Sequence, residues 1–437
     1  MTRARLDVAV IGCGTAGPAV ALFLAEAGHR VTLYERVPEP SPVGAGIILQ
    51  PTGQHVLARL GLHDVVVPRG TRLDGLRIET HRGRTLAALD YAALSSALFG
   101  VGLHRGLLFQ ALFGAVKQAP IALRLGVAIE DLRRTADGLH ILVDAEGNTH
   151  GPHALVIVAD GARSHLRDDT DPSPQRAELD VLPKRVRQYP WGALWFVGDD
   201  AKGAYGHELR QVVRGTHRMV GVLPTGRGPR TVMEGHAPDS AQDPLRVSLF
   251  YSVRCDRAEE TKADVDAWKR EVRALMPAAG PVLDQIHASS DLLFAAYHDV
   301  QMPRWHTRDV VYIGDAAHAM SPQLGQGCNL ALVDAMVLAD CLAAHDSVPA
   351  ALAAYSRERQ PHLRFYQFAT RWLTPFFQSD FASLGWLRDR FMGLASRIPF
   401  MRRQMIASMC GVKRGIVFGG SLPLPPPKPA LPSATTA

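Results

Sequence analysis

Three short segments hold the residues best suited to chemistry: Gly12-Cys13-Gly14-Thr15-Ala16-Gly17 near the start, Asp160-Gly161 in the middle and Gly314-Asp315 late in the chain. Each follows an apolar, β-branched run, the pattern of a buried strand that ends in a functional turn. In the first segment Gly12 permits the tight turn, Gly14 lets the backbone approach a pyrophosphate, and Gly17 lets helix and strand pack closely. Thr15 and Ala16 open the helix, whose unpaired N–H groups and partial positive charge suit phosphates. Glu35 closes the next strand about 20 residues on, where an acid accepts hydrogen bonds from ribose hydroxyls, and Arg36 follows it. Together these predict an adenine dinucleotide.

Later residues decide between NAD and FAD. The run Val310-Val311-Tyr312-Ile313 ends in Gly314 and Asp315, where a carboxylate can bond the ribityl hydroxyls of a flavin. Pro322-Gln323-Leu324-Gly325-Gln326-Gly327-Cys328-Asn329 then delivers backbone N–H groups at a helix start, aimed where the flavin ring would lie. Reduced flavin is an anion near neutral pH, and a helix N-terminus stabilises that charge without reorganising. FAD is the predicted cofactor. Pro322 stiffens the loop at the reacting face, and Cys328 is expected as a small space-filler.

The elements that position these residues follow from periodicity. Strand Val8–Ile11, helix Pro18–Ala27 ended by Gly28, and strand Arg30–Tyr34 make one βαβ unit. Helices over Gly53–Leu60, Arg105–Gln118 and Gly327–Ala343, with strand Ala154–Val158, complete a discontinuous FAD-binding domain of residues 1–75, 100–187 and 294–360. Residues 76–99 and 188–293, with the strand-like runs Trp191–Phe196, Met219–Leu223 and Val247–Tyr251 and a helix over Lys262–Leu275, predict a mixed sheet lying over the ring as a substrate-binding domain. Residues 361–420 read as helices broken at Pro375 and Pro399, and 421–437 as a Pro-rich disordered tail. The fold class is α/β: a Rossmann-like FAD-binding domain with a parallel sheet, a mixed β-sheet substrate domain and a helical C-terminal region.

Composition bounds the function. A chain of 437 residues exceeds what one hydrophobic core supports, and 47% apolar with 21% charged residues is a globular balance. The net charge of +6 is dispersed, which argues against nucleic acid as a partner. Met401-Arg402-Arg403-Gln404, in an apolar region, leaves peripheral contact with an anionic membrane open. The longest apolar stretch, Leu330–Ala344, is short and carries Asp334 and Asp340, so no membrane span is expected. Five cysteines without a Cys-x-x-Cys pair indicate neither a disulfide framework nor a metal site and suit a reducing cytoplasm. A monomer or homodimer is expected.

In combination these motifs resemble the single-component FAD-dependent aromatic hydroxylases, the para-hydroxybenzoate hydroxylase family, and the ubiquinone-biosynthesis hydroxylases within it, over about residues 5–360. The resemblance implies that Asp160, Gly161, Ser164 and Arg167 contact FAD and help engage NAD(P)H. It implies that Arg105 meets the pyrophosphate and ribose region, and that Gly44-Ala45-Gly46, through Ala45 and Gly46, passes beside the isoalloxazine. Ile129 completes the residues assigned to the cofactor. The implied activity is hydroxylation of a phenolic or quinone-like aromatic substrate through a flavin hydroperoxide, with NADH or NADPH and dioxygen consumed. Trp191, Tyr205, Gln211 and Phe250 are the candidate substrate contacts. A proton relay would assist attack on a phenolate, and Tyr205, His207, Gln211, Tyr251, Tyr297 and His298 are candidates among which no base is assigned. Two other readings stay open: a reductase or dehydrogenase of the same fold, and a flavin-binding partner protein without turnover.

Overall fold

The three chemical motifs end three neighbouring strands. In this computed structural model, which describes residues 5–41, 44–168, 184–228 and 244–415, the first sheet is parallel. Its spatial order is Val310–Tyr312, Leu155–Val158, Asp7–Ile11, Arg30–Glu35 and Ile121–Leu125. Val10 pairs with Ile157, and Ile157 with Val311, so the turns that follow all emerge at one edge. The three strands that lead into the motifs are buried on both faces, which is why they read as unbroken β-branched runs. The expected tail, 421–437, lies outside the described residues.

Helices α1 (Ala16–Glu26), α2 (Pro51–Arg59) and α3 (Arg105–Gln118) belong to this layer. Helix α4 (Val265–Leu275) covers the mixed sheet, and α5 (Gly327–Ala344) packs on α1 and α2. Helix α5 is long and apolar enough to cross a bilayer, yet most of it is buried inside the protein. Its Leu330, Leu332, Val333 and Leu338 are at most 2% exposed, and full burial of such side chains contributes about 1.5–3 kcal/mol each.

The second large sheet has seven strands in the order Leu293–Gln301, Arg185–Asp199, Leu245–Arg254, Arg218–Arg227, Glu208–Arg214, Gly75–Thr80 and Thr85–Asp90. Its alternation creates two distinct faces. Leu194, Phe196, Val220, Val222, Leu249 and Tyr251 pack under α4. The opposite face carries Leu209, Val213, Met219, Leu223 and Phe250 and meets the C-terminal helices α6 (Val348–Phe377), α7 (Ala382–Ala395) and α8 (Pro399–Met409). A small sheet, Gly46–Leu49, Gly100–His104 and Thr71–Leu73, connects the two layers.

Two local expectations are corrected. The helix expected over Lys262–Leu275 is two helices, Ala258–Ala263 and α4. Asp264 leaves helical geometry at φ −117° and ψ 77°, and its carboxylate accepts from the Ala267 N–H at 2.8 Å, restarting the helix as its cap. Pro375 does not break the chain: α6 runs through Pro361 and Pro375. An interior proline costs about 3 kcal/mol, which the buried face of Tyr355, Arg359, Leu363, Tyr366, Thr370 and Phe377 offsets. The helix therefore spans residues 360 and 361, where the sequence suggests a boundary.

Candidate active site

The Gly-rich turn combines closed and open positions. At Gly12 (φ +104°) an added Cβ would lie 2.5 Å from the Ala159 carbonyl oxygen, and at Gly17 1.9 Å from that of Gly12. Only glycine fits either place. Gly14 is the reverse: it is exposed, with nothing within 4 Å of such a Cβ. No side chain caps α1 at Thr15, so its first N–H groups open toward this space beside Ala16. Glu35 stands at the rim, accepting from the Cys13 N–H at 2.8 Å and the Val37 N–H at 2.9 Å. Arg36 is exposed beside it, and Ile129 is buried nearby, two residues beyond Val127, whose N–H bonds the Glu35 carbonyl.

Across the cleft, Gly314 adopts φ +59° and touches both α1 and α5, its added Cβ lying 3.1 Å from Ala16 Cβ and 3.4 Å from Ala331 Cβ. The Gly314 N–H donates to Asp334 Oδ2 at 2.9 Å, His318 Nε2 lies 2.5 Å from the same oxygen, and Arg359 Nε donates to Oδ1 at 2.7 Å. All three side chains are buried. Burial alone would raise the Asp334 carboxyl, but the charges of His318 and Arg359 hold it far below the carboxylate range. This network escaped sequence reasoning, where Asp334 registered only as a charge within an apolar run. Its effect is to fix the turn that leaves Asp315 exposed, beside Gly327. Asp160 and Gly161 lie next to this turn at half-buried positions. Arg167, expected to face a ligand, is instead buried, its guanidinium donating to the Ala316 and Ala162 carbonyls at 2.7 Å each.

The Pro322–Asn329 loop is held from behind. Pro322 and Gly327 are exposed, while Gly325 takes the left-handed φ of +60°. Gln326 donates to the Met409 carbonyl at 2.7 Å. Asn329 accepts from the Gln50 N–H at 2.8 Å and donates to the Ile48 carbonyl at 3.0 Å. Both amide side chains thus anchor the loop, and α5 begins without a side-chain cap. Burial pushes the Cys328 thiol up to about 12, so it stays protonated. Opposite, Arg105 packs along Gly44, and its N–H donates to the Ala45 carbonyl at 3.0 Å. His104 Nδ1 accepts from the Gly106 N–H at 3.1 Å as the α3 cap, which places its proton on Nε2 for the Gly44 carbonyl at 2.9 Å.

The Gly46 N–H donates to Ser248 Oγ at 2.8 Å, which identifies the face of the mixed sheet that meets the Gly44–Gly46 segment. Gln211, Gly221, Phe250, Trp195 and Leu293 form one cross-strand row on that face. Trp195 and Phe250 rings lie 5.0 Å apart, and Trp195 is hydrogen-bonded to Tyr297. Trp191 shares the face, stacked on His217 at 6.0 Å. Tyr205 and Tyr251 lie in the core under α4, on the far face, and His207 is exposed, bonded to the Arg72 carbonyl. His298 is half-buried at the sheet edge, opposite Gln188. Helix α6 ties sheet to loop: Ser321 bonds Thr374 at 2.7 Å, Gln323 donates to Gln378 at 2.8 Å, and Gln378 donates to Ser252 at 2.9 Å. Gln378 and Thr374 carry no motif and were missed.

Two uncapped helix starts, an open glycine at each and an exposed carboxylate between them fit a long anionic dinucleotide. The model of the family described as "FAD binding domain" matches residues 5–366. The chain belongs to the FAD binding domain family. Within it, the chain is 30% identical over 416 residues to the 3-amino-4-hydroxybenzoate 2-monooxygenase PtnB3 of Streptomyces platensis, covering 90% of this chain and 94% of that protein. It is 27% identical to the aurachin C monooxygenase/isomerase of Stigmatella aurantiaca, covering 90% and 95% respectively. The crystal structure of Pseudomonas aeruginosa PqsL with 2-aminobenzoylacetate shares the fold, with a TM-score of 0.73 at 23% identity over 90% of this chain and 99% of that one. This member of the FAD binding domain family is an FAD-dependent aromatic monooxygenase, with NAD(P)H and dioxygen as its co-substrates.

Proposed function

We propose that the enzyme hydroxylates a neutral, fused-ring aromatic compound bearing an electron-donating hydroxyl or ring nitrogen. One observation carries this reading. The three central rows of the sheet face beside the cofactor loop hold Gln211, Leu223, Ser248, Phe250, Trp195 and Leu293 among other uncharged residues, and no charged side chain. The next charge on that face, Arg246, is already bonded to Asp199 and to the Gly228 carbonyl, so a carboxylate on the substrate would find no uncommitted counter-ion in these rows and would lose its hydration uncompensated. Apolar rings would instead pack against the Trp195 and Phe250 pair. Fused rings appear in the names of several relatives, a 4(1H)-quinolone as the product of a synthase and a phenazine in a dicarboxylic acid hydroxylase, whereas the hydroxybenzoate of PtnB3 is a single ring; the fused ring is thus shared with relatives, and the neutrality rests on the sheet face alone.

When bound, FAD supplies reduction by NAD(P)H and activation of dioxygen. The chain's own residues do the rest. N–H groups beyond Gly12, Gly14, Thr15, Ala16 and Gly17 receive the pyrophosphate, with Arg105 alongside. Glu35 receives the ribose hydroxyls and Asp315 the ribityl chain. Gly325 and Gly327, at the start of α5, would offer N–H groups to negative charge at the ring, and Ala45 and Gly46 would pass beside it. Pro322 borders the reacting position, and the Trp195 and Phe250 rings exclude water from it. Burial keeps Tyr297 a phenol, displacing its pKa upward against the opposing effect of the Trp195 hydrogen bond; with its oxygen engaged by the indole, its O–H can orient a substrate oxygen, and Gln211 can orient a ring N–H.

Steady-state NAD(P)H oxidation by the holoenzyme, with isotopically labelled dioxygen, tests this. Hydroxyquinolines and 4-quinolones should accelerate oxidation and acquire label. Preferential labelling of hydroxybenzoates would overturn the substrate reading, and turnover equal with and without oxygen would favour a reductase.

A further inference from the structure

Of the fourteen large apolar side chains exposed among the described residues, ten lie between Phe368 and Met401. Of the six tryptophans, the two exposed ones, Trp372 and Trp386, are both here, at 60% and 67% exposure. On α7, Leu387, Phe391 and Leu394 recur at i, i+4 and i+7, so they form one stripe. The other side of α7 is engaged: an added Cβ at Gly385 would meet Gly215 at 3.1 Å, one at Gly393 would meet the Thr85 carbonyl at 3.1 Å, and Arg388 donates to the Gly215 and Phe376 carbonyls. The outward stripe, continued by Phe400 on α8, is therefore a surface and not a misplaced core. Its extent exceeds the scattered apolar exposure normal for a protein surface.

Charge identifies the occupant. Residues 381–404 contain five arginines and one acid, Asp389, whose carboxylate is bonded by Arg388 at 2.7 Å. Arg390, Arg397, Arg402 and Arg403 have no balancing acid within the segment. In a two-fold contact between copies this patch would face itself and bring those arginines together, which is repulsive. A bilayer bearing anionic headgroups supplies both what the stripe lacks, an apolar phase, and what the arginines lack, negative charge, and tryptophans favour that interface. We propose that α7, α8 and the end of α6 form a peripheral docking face for anionic lipid membranes.

Flotation of the full-length, FAD-loaded enzyme with vesicles tests the proposal. The enzyme should float with mixed phosphatidylcholine and phosphatidylglycerol vesicles, with a blue shift of tryptophan emission, and much less with phosphatidylcholine alone; added salt should release it. Replacing the stripe, Leu387→Ser with Phe391→Ser and Leu394→Ser, should lower partitioning at least about tenfold with flavin content and NAD(P)H oxidation unchanged. Arg397→Gln, Arg402→Gln and Arg403→Gln should each cost about fivefold. Absence of flotation with phosphatidylglycerol vesicles, or partitioning indifferent to the stripe substitutions, overturns the proposal. So does a wild-type dimer in solution that the stripe substitutions convert to monomer, which would make this face a contact between copies.

Discussion

Replacing Asp334 by asparagine keeps the shape of the side chain and removes its charge. The carboxylate is fully buried and receives three donors, the Gly314 N–H, His318 Nε2 and Arg359 Nε. An amide has one acceptor oxygen. Turned toward Gly314 and His318, it points its NH2 at the Arg359 guanidinium; turned the other way, it abandons the first two. Each hydrogen bond to a charged group contributes about 1.5–3 kcal/mol, and removing one partner of a buried ion pair costs about 3–5 kcal/mol. Losses of one or two such bonds agree with that range, so a total near 4 kcal/mol is expected, roughly. Denaturant unfolding of the apoprotein measures this without the contribution of bound cofactor. Because the Gly314 turn presents Asp315, FAD binding followed by fluorescence should weaken at least about tenfold, or 1.4 kcal/mol. A double replacement, Asp334→Leu with Arg359→Met, should destabilise less than the sum of its parts, since the guanidinium is no longer left buried without its carboxylate. Unaltered unfolding together with unaltered flavin affinity in Asp334→Asn would refute the claim that this network shapes the site.

Other perturbations separate folding from binding. Asp315→Ala touches an exposed carboxylate, so stability should change by less than about 0.5 kcal/mol while the purified protein loses its yellow colour; retention of full flavin absorbance contradicts the ribityl role. Gly14→Val enters open space and should leave a folded but flavin-poor protein, whereas Gly17→Ala drives a methyl into the Gly12 carbonyl and should cut the unfolding midpoint itself; circular dichroism with flavin absorbance distinguishes them. Acidification should release FAD and destabilise the protein. Desolvation holds His104 below its ordinary value of 6.5, and burial beside Arg359 does so more strongly for His362. The unfolded state therefore binds protons first, so stability is complete above that value and declines as pH falls below it. Thermal midpoints between about pH 7.5 and pH 5.5 report the slope, and His104→Gln, which keeps an acceptor and a donor without titrating, should flatten part of it.

The cofactor cradle was legible because steric necessity leaves marks in sequence. Gly12 and Gly17 sit where any Cβ collides with backbone, and the strands leading to the motifs are apolar throughout because both faces are covered. What was not legible depends on packing between elements. His318, Asp334 and Arg359 come from a turn and two helices and share no local pattern. Alternation along the mixed sheet separates two sets of side chains but does not say which faces the cofactor, so Tyr205 and Tyr251 looked as eligible as Tyr297. Pro375 looked like a break because local propensity opposes helix there; the helix's own face outweighs it only because distant parts of the chain bury that face.

Helix α6 reaches the Gly314 turn through Arg359, the Pro322 loop through Thr374 and the mixed sheet through Gln378. On the proposed reading, the parts that would hold the cofactor and those that would hold the substrate are thereby gauged against one rod instead of against each other. The room left for an aromatic guest would then be a length cut into the protein, to which guests of different thickness must adapt. Altered regiochemistry should accordingly be sought by changing where that rod is pinned, at sites remote from either ligand.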